Sequence, residues 1–378
     1  MAVTRRENDT ATPIDDGSRH EPDQGRSRHD PDDRCARDAD PARPRHDLDE
    51  VDVQLLDALH ANPRASFERL GPVLGISPVT AARRWQRLAD SGRAWISSVP
   101  GPRLALVAAV VDVRTQPGSL AATAAALAAI PQVISVYATD GEFDLHTLVI
   151  AADMPALSAL LLDRLPALPG VARIRSHTGL AWHSGVRWQL GAMDPDQQRA
   201  VAGDAPEDPR AARTRLFDPD DRALFLALQH DGRARYRELA RTLDTSEHLI
   251  RRRVDTLVRQ GMLGFRTDFA RGEGGWPTEF VLWLAAPHHR LTEIGTAIGG
   301  RPQTRICLSA VGTANLMVMA QVHRPTDIGA VLDLIRTIDA DTTVAEQRLI
   351  LRAVKSWGRL LDPEGRAIGL VPVDPWAK

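Results

Sequence analysis

Apolar positions recur at helical spacing in three short stripes near residue 50. Leu55, Leu56 and Leu59 form one, Phe67, Leu70, Val73 and Leu74 a second, and Ala81, Trp85 and Leu88 a third, each the pattern of a helix with one buried face. Asn62-Pro63 separates the first two helices. Gly75-Ile76-Ser77-Pro78 reads as a tight turn in which Ser77 caps the third helix and Pro78 takes its first position, and Gly92 supplies the left-handed stop. Helix, helix, short turn, helix is a helix-turn-helix.

The same pattern returns. Residues 48–96 align without a gap on 217–265 at a constant offset of 169, and Asp49, Asp52, Leu55, Leu59, Arg64, Leu70, Leu74 and Ser77 reappear as Asp218, Asp221, Leu224, Leu228, Arg233, Leu239, Leu243 and Ser246. Arg83, Arg84, Leu88 and Gly92 likewise become Arg252, Arg253, Leu257 and Gly261. An ungapped run that keeps apolar phase, turn residues and paired arginines is a duplication. After each copy, apolar runs alternate with helical stretches: 104–113, 119–130, 133–138, 145–150, 154–165 and 171–180 in the first, and 280–285, 291–298, 304–310, 316–321, 328–338 and 343–354 in the second. The order is βαββαβ twice, the ferredoxin-like split unit, and Gly141 and Gly312 extend the duplication at an offset of 171.

The expected fold class is therefore α+β, with two helix-turn-helix domains (48–98 and 216–266) and two ferredoxin-like βαββαβ domains (104–183 and 277–357) in tandem. Residues 1–47, dense in Asp, Arg, Pro, His, Gly and Ser, bury too little to offset their ordering entropy and are expected to be a disordered tail. The polar stretch 184–215 is expected to be a linker and 358–378 a C-terminal tail. A chain of 378 residues is too long for one ordinary core, in keeping with several domains.

Composition narrows the function classes. The longest apolar runs fall short of the ~20 residues of a membrane helix, and the polar start lacks a secretory signal, so the expectation is a cytoplasmic protein with no membrane partner. Two cysteines, Cys35 and Cys307, make neither a disulfide framework nor a zinc cage. Among the histidines, His177, His183, His288, His289 and His323 show no ligand spacing, so no metal and no cofactor are expected. The formal charge of −2 does not bear on nucleic acid, which reads local basic stripes. Only Lys355 and Lys378 are lysines, so nearly all positive charge is guanidinium, suited to phosphates and guanine edges.

On the third helix, placing Ala81, Trp85 and Leu88 inward turns Val79, Thr80, Arg83, Gln86 and Arg87 outward with Arg84 on the flank, a cationic face without an acid of its own. Such a helix suits the major groove, with the capped N-terminus at Ser77 and Pro78 against a phosphate. The expected DNA-binding residues are Ser77, Pro78, Val79, Thr80, Arg83, Arg84 and Arg87, with Ser246, His248, Arg252 and Arg253 in the second copy. There Glu247 and Asp255 add acid, so the second head is expected to be weaker or differently specific.

The stretches 48–52, 76–80 and 83–92 (LDEVD, ISPVT and RRWQRLADSG) resemble the DNA-binding motif of the Lrp/AsnC family of transcriptional regulators, and the resemblance runs from Leu48 to about Trp357. It implies that the helix-turn-helix is winged and binds double-stranded DNA, and that the ferredoxin-like domains pair into dimers or higher oligomers and take up a small effector, often an amino acid. It also places an effector loop at Gly141 and Asp144, with Gly312 and Asn315 as the duplicate, where Asn315 lacks the charge for an amino group. The chain departs from the usual single module by its fusion, which suggests an internal pseudo-dimer with unequal heads. The enzyme rival is the siroheme decarboxylase group, which shares this two-domain plan but carries a His-Arg segment after the helix-turn-helix. The matching stretches here, 95–100 and 265–270, hold no His, and the expectation is a regulator that is not an enzyme.

Overall fold

In the computed structural model residues 48–184, 190–202 and 216–377 are described. The expected tail 1–47, with Cys35, and residues 185–189 and 203–215 of the expected linker lie outside the described residues. The first three stripes become α1 (Glu50–Ala61), α2 (Phe67–Val73) and α3 (Pro78–Asp90). Their N-termini are held by Asp49, Ser66 and Ser77, each accepting a backbone N–H of the first turn. Leu55, Leu59, Leu70, Trp85 and Leu88 close one small core, and the chain turns at Gly92 (φ 67°) into strand β1 (Ala94–Pro100). The second half forms α7 (Pro219–His230), α8 (Tyr236–Thr242), α9 (Glu247–Arg259) and β6 (Leu263–Phe269) in the same way.

Each of these head domains feeds a β-α-β-β-α-β unit. In the first half these are β2 (Val107–Thr115), α4 (Leu120–Ala128), β3 (Val133–Thr139), β4 (Leu145–Ala151), α5 (Met154–Ala159) and β5 (Val171–Ser184). The second half supplies β7 (Thr278–Ala285), α10 (Leu291–Gly299), β8 (Thr304–Ala310), β9 (Leu316–Val322), α11 (Ile328–Ile338) and β10 (Thr343–Ser356).

The two halves interlock through their strands. β5 of the first half pairs with β8 of the second, β10 of the second pairs with β3 of the first, and β10 also pairs with β7. Among the described residues the strands therefore close in the order β10-β3-β4-β2-β5-β8-β9-β7 and back to β10, which removes free sheet edges. Val110, Tyr137, Leu148, Trp283, Leu308 and Met319 fill the interior. The other strand faces pack under α4 and α5 in one half and α10 and α11 in the other. Burial on both faces is why these strands read in the sequence as continuous apolar runs.

β1 and β6 form a separate antiparallel ribbon, from Ala94 opposite Phe269 to Pro100 opposite Leu263. The heads also exchange arginines. Arg64 donates to the carbonyls of Gly232 and Ala234, and its repeat partner Arg233 donates to those of Pro63 and Ala65 at 2.7 and 2.8 Å. This reciprocity, residue i on j and j on i, is the mark of a two-fold interface, here inside one chain.

Two segments differ from expectation. The stretch read as a linker contains helix α6 (Pro195–Ala202), and Leu190, Met193 and Val201 join the first head's core. The buried Asp57 carboxylate fixes them by accepting the N–H groups of Leu190, Ala192 and Met193 at 2.7 to 3.0 Å. The stretch read as a C-terminal tail forms β11 (Arg359–Leu361) and β12 (Ala367–Leu370). Val373 enters the barrel interior, Trp376 packs on Phe217 at 5.3 Å in the second head, and Ala367 N–H donates to Gly92 at 2.8 Å in the first. Short polar spacing concealed both, because their few apolar residues are anchors rather than stripes.

Candidate nucleic-acid interface and ligand cleft

Ser77 accepts Thr80 N–H at 3.0 Å, and Ser246 accepts Leu249 N–H at 3.3 Å, so both third helices begin with the cap read in the sequence. Val79, Thr80, Arg83 and Arg87 are exposed on α3, with Pro78 half-buried, and His248 and Arg252 are exposed on α9. Arg83 and Arg252 make no ion pair among the described residues. Arg84 and Arg87 do: both reach Asp52, a carboxylate of α1 that is only 1% exposed, and Arg84 also meets Asp49 at 2.6 Å. Burial pushes the Asp49 carboxyl up, but the Arg84 guanidinium outweighs it and holds the group below its ordinary value. In the second head Arg253 is bound by Asp218, Asp220 and Asp221. The expectation of a face free of acid is thus corrected. The acids come from the first helix of each head and its N-cap, and the outward charge rests chiefly on Arg83 and Arg252.

In the two loops expected to take an effector, the polar side chains make hydrogen bonds within the protein. Asp144 accepts both the N–H and the hydroxyl of Thr115, at 2.6 and 3.0 Å, and Gly141 (φ 89°) passes against the stem of Arg348. Asn315 is buried, and its side-chain amide exchanges two 2.9 Å hydrogen bonds with the backbone of Ala286, so it shapes the turn. Gly312 lies beside His177, whose ring leans against Trp283 at a tilt of 38° with centroids 4.3 Å apart.

Two charged clusters escaped the sequence reading. Toward the loop end of the barrel, buried Asp112 accepts from Arg348 at 2.6 Å and Arg175 at 2.7 Å and lies 2.8 Å from His146 Nδ1. Burial pushes Asp112 up, but His146 and Arg348 outweigh it and hold the carboxyl well below the carboxylate range. Toward the heads, Asp268 on β6 meets Arg266 at 3.1 Å, Arg305 at 3.2 Å and Arg271. Arg305 also binds Glu279 at 2.7 Å, and Arg271 donates to Gln321 at 2.8 Å. Among the described residues Arg266, Arg271 and Arg305 thus gather around Asp268 and Glu279 in a buried place. Burial pushes the Asp268 carboxyl up, and the three guanidinium groups hold it far below its usual range. Burial lowers Arg271 to about 10. The terminal nitrogens of Arg266, 1% exposed, have no hydrogen-bond partner among the described residues, although the guanidinium lies 5.1 Å over the Trp357 ring.

Asp268, Arg271, Glu279 and Arg305 of this second cluster line a cleft of about 280 Å³ between the β1–β6 ribbon, the barrel and the β11–β12 extension. Trp95, Tyr137, Phe269 and Trp276 give it apolar walls, and Arg352, Asp362 and Glu364 stand among its more exposed lining. The sequence held one weak sign of it. The 265–270 stretch drew attention for its missing His, while its Asp268 and Phe269 line the cleft.

The remaining reactive groups are quiet. Cys307 is buried, donates to the Gly295 carbonyl, and burial pushes its thiol up. His183 is lowered by burial, and no group of His, Cys, Asp or Glu among the described residues is arranged to hold a metal ion.

Models of known families match three parts of the chain. The AsnC-type helix-turn-helix domain matches residues 48–89 and again 217–258, and the Lrp/AsnC ligand binding domain matches 108–181. The chain is 30% identical over 136 residues to the Bkd operon transcriptional regulator of Pseudomonas aeruginosa, which covers 34% of this chain and 89% of that protein. It is also 26% identical over 276 residues to the siroheme decarboxylase NirDL subunit of Paracoccus denitrificans, covering 69% of this chain and 79% of that one. The crystal structure of the siroheme decarboxylase NirDL shares the fold over 81% of this chain and 92% of its own, at a TM-score of 0.52 and 13% identity. The expectation that the chain is not an enzyme is overturned by these matches, since a relative that aligns along 69% of the chain is an enzyme subunit. No helix among the described residues is long and apolar enough to cross a membrane.

Proposed function

This chain belongs to the Lrp/AsnC family, and on that premise we propose that it is a ligand-responsive DNA-binding regulator in which one chain takes the place of a dimer. In this reading, residues 48–98 and 216–266 are winged heads for double-stranded DNA, and 104–183 and 277–357 are ferredoxin-like domains that hold the heads in register. The observation that carries it is the pairing of β1 with β6, reinforced by the Arg64 and Arg233 exchange, which presents two Ser-capped helices with Arg83 and Arg252 outward. Capped N-termini take phosphates and a free guanidinium takes a guanine edge. Two differently built heads suit an imperfect palindrome. Selection of bound fragments from random duplex DNA, followed by footprinting, tests it: the reading requires a protected site with two half-sites and fails if binding stays sequence-independent.

A second reading is favoured by one observation, the alignment along 69% of the chain with a siroheme decarboxylase subunit. In that reading the arginine-lined cleft would engage substrate carboxylates. Incubation of the purified chain with siroheme, with release of carbon dioxide as the readout, separates the two.

A further inference from the structure

The two heads differ along one flank of their third helices. In the first, Arg87 near the end of α3 lays its guanidinium on Asp52, beside that of Arg84. At the repeat offset of 169 Asp52 becomes Asp221 and Arg84 becomes Arg253, but Arg87 becomes Thr256, whose side chain is too short to span from α9 to α7. A groove of about 500 Å³ opens there between α7, the α8–α9 turn and α9, with Asp221 and Thr256 both in its lining.

Three further exchanges set the chemistry of the groove. Val51 becomes Asp220, Gly75 becomes Asp244 and Thr80 becomes Leu249, and all three line it. The Asp220 side chain is 79% exposed, Asp244 is exposed in the turn, and the exposed Leu249 lies next to the buried Ile250. Carboxylates beside hydrocarbon match an arginine side chain, whose stem packs on apolar surface while its planar fork takes a carboxylate. The first head displays that fit within the same molecule, since the twin of Asp221 holds a guanidinium sent from the twin of Thr256. We infer that the groove docks an arginine-bearing, leucine-flanked segment of a partner protein. Its guanidinium takes the place of the first head's Arg87, with Asp220 and Asp244 at the rim and the flanking leucine against Leu249. Arg252 also lines the groove, so a docked segment covers it and excludes DNA from the second head alone. That exclusion rests on the regulatory reading; the docking does not.

The test uses the full chain and three end-blocked tetrapeptides in which leucine alternates with arginine, with lysine, or with citrulline, the uncharged isostere of arginine. Calorimetry and fluorescence anisotropy are expected to show the arginine peptide binding at least about tenfold tighter than the citrulline peptide, and tighter than the lysine peptide. Thr256→Arg writes the first head's residue into the second; it is expected to fold, as α3 does with Arg87, and to lose the peptide. Asp220→Asn with Asp244→Asn is expected to bring the arginine peptide down to the citrulline level, and asparagine adopts the left-handed turn that Asp244 holds at φ 48°. No arginine-peptide binding up to about 10 mM, equal binding of the citrulline or lysine peptide, or undiminished binding to the Thr256→Arg chain overturns the assignment. With a bound duplex present, the arginine peptide is expected to weaken protection under the second head and spare the first, in the parent and not in Thr256→Arg, which also reports any effect of the peptide on DNA itself. Peptide binding without that change overturns the exclusion, whereas absence of specific DNA binding in every chain counts against the regulatory reading alone.

Discussion

The two halves of the barrel share a backbone and differ in where they place charge. At the end nearest the heads, the second half carries Asp268, Glu279, Arg305 and Gln321, and the first half carries Val99, Ala108, Ile134 and Ile150. Toward the loop end the assignment is inverted: the first half places Asp112 and His146 where the second has Trp283 and Met317. A dimer of identical subunits would carry each cluster twice or not at all. Fusion lets one copy keep hydrocarbon packing while the other takes on ionic groups, so the asymmetry is what duplication makes available.

The sharpest way to break this comparison is to remove one acid from each cluster. Asp268→Ala leaves three buried guanidinium groups with one fewer partner and is expected to cost about 3 to 5 kcal/mol in urea unfolding. Asp112→Ala should act in the same range. Val99→Ala, at the twin position of Asp268, removes two methyl groups and should cost less, about 1 to 3 kcal/mol, between the scale of a one-carbon truncation and that of a Leu→Ala change. Equal losses at Asp268 and Val99 would mean that the ionic cluster is not distinct from ordinary packing.

The heads allow a second comparison. Arg83→Ala is expected to lower specific DNA affinity by about 1 to 3 kcal/mol, and Arg252→Ala by less, because Glu247 and Asp255 share its helix. Competition binding at fixed salt measures both, and a larger loss at Arg252 would reverse the order of the heads.

Smaller effects follow from pH. Burial lowers His60 to about 3 from an unfolded value near 6.5. Between those limits the unfolded chain binds the extra proton, so stability falls as pH drops from about 6.5 to 3. Burial lowers Lys355 to about 7, and its amine donates to the Ala128 and Ile130 carbonyls at the end of α4. Here too the unfolded state holds the proton, so this lysine makes stability rise with pH above about 7. Above about 9 the buried Cys307 acts in the opposite direction, because the unfolded thiol ionises first. Melting temperatures from pH 7 to 9 should rise in the parent and rise less in Lys355→Met; identical slopes would remove Lys355 as the cause.

What the sequence disclosed was local. Ser77 and Ser246 as caps, the turns at Gly75 and Gly92, and the helix stripes follow from spacing over a few residues, and the duplication reinforced each of them. The crossing pairs β5 with β8 and β10 with β3 were hidden, because apolar runs buried on both faces do not encode their neighbours. Arg64 and Arg233 stood out as repeat partners, yet their exchange of carbonyls needs the two heads in contact. The cleft was least legible: Asp268, Arg271, Glu279 and Arg305 come from the ribbon, a loop and two strands, and buried arginine runs against the composition rule that charged residues face water.

The most direct test is a footprint of the intact chain at one chain per duplex, repeated with Arg83→Ala. The account requires one chain to protect two unequal half-sites on one face of the DNA and the variant to lose the half-site under the first head. Protection that needs two chains per site, or a footprint unchanged by Arg83→Ala, would contradict it.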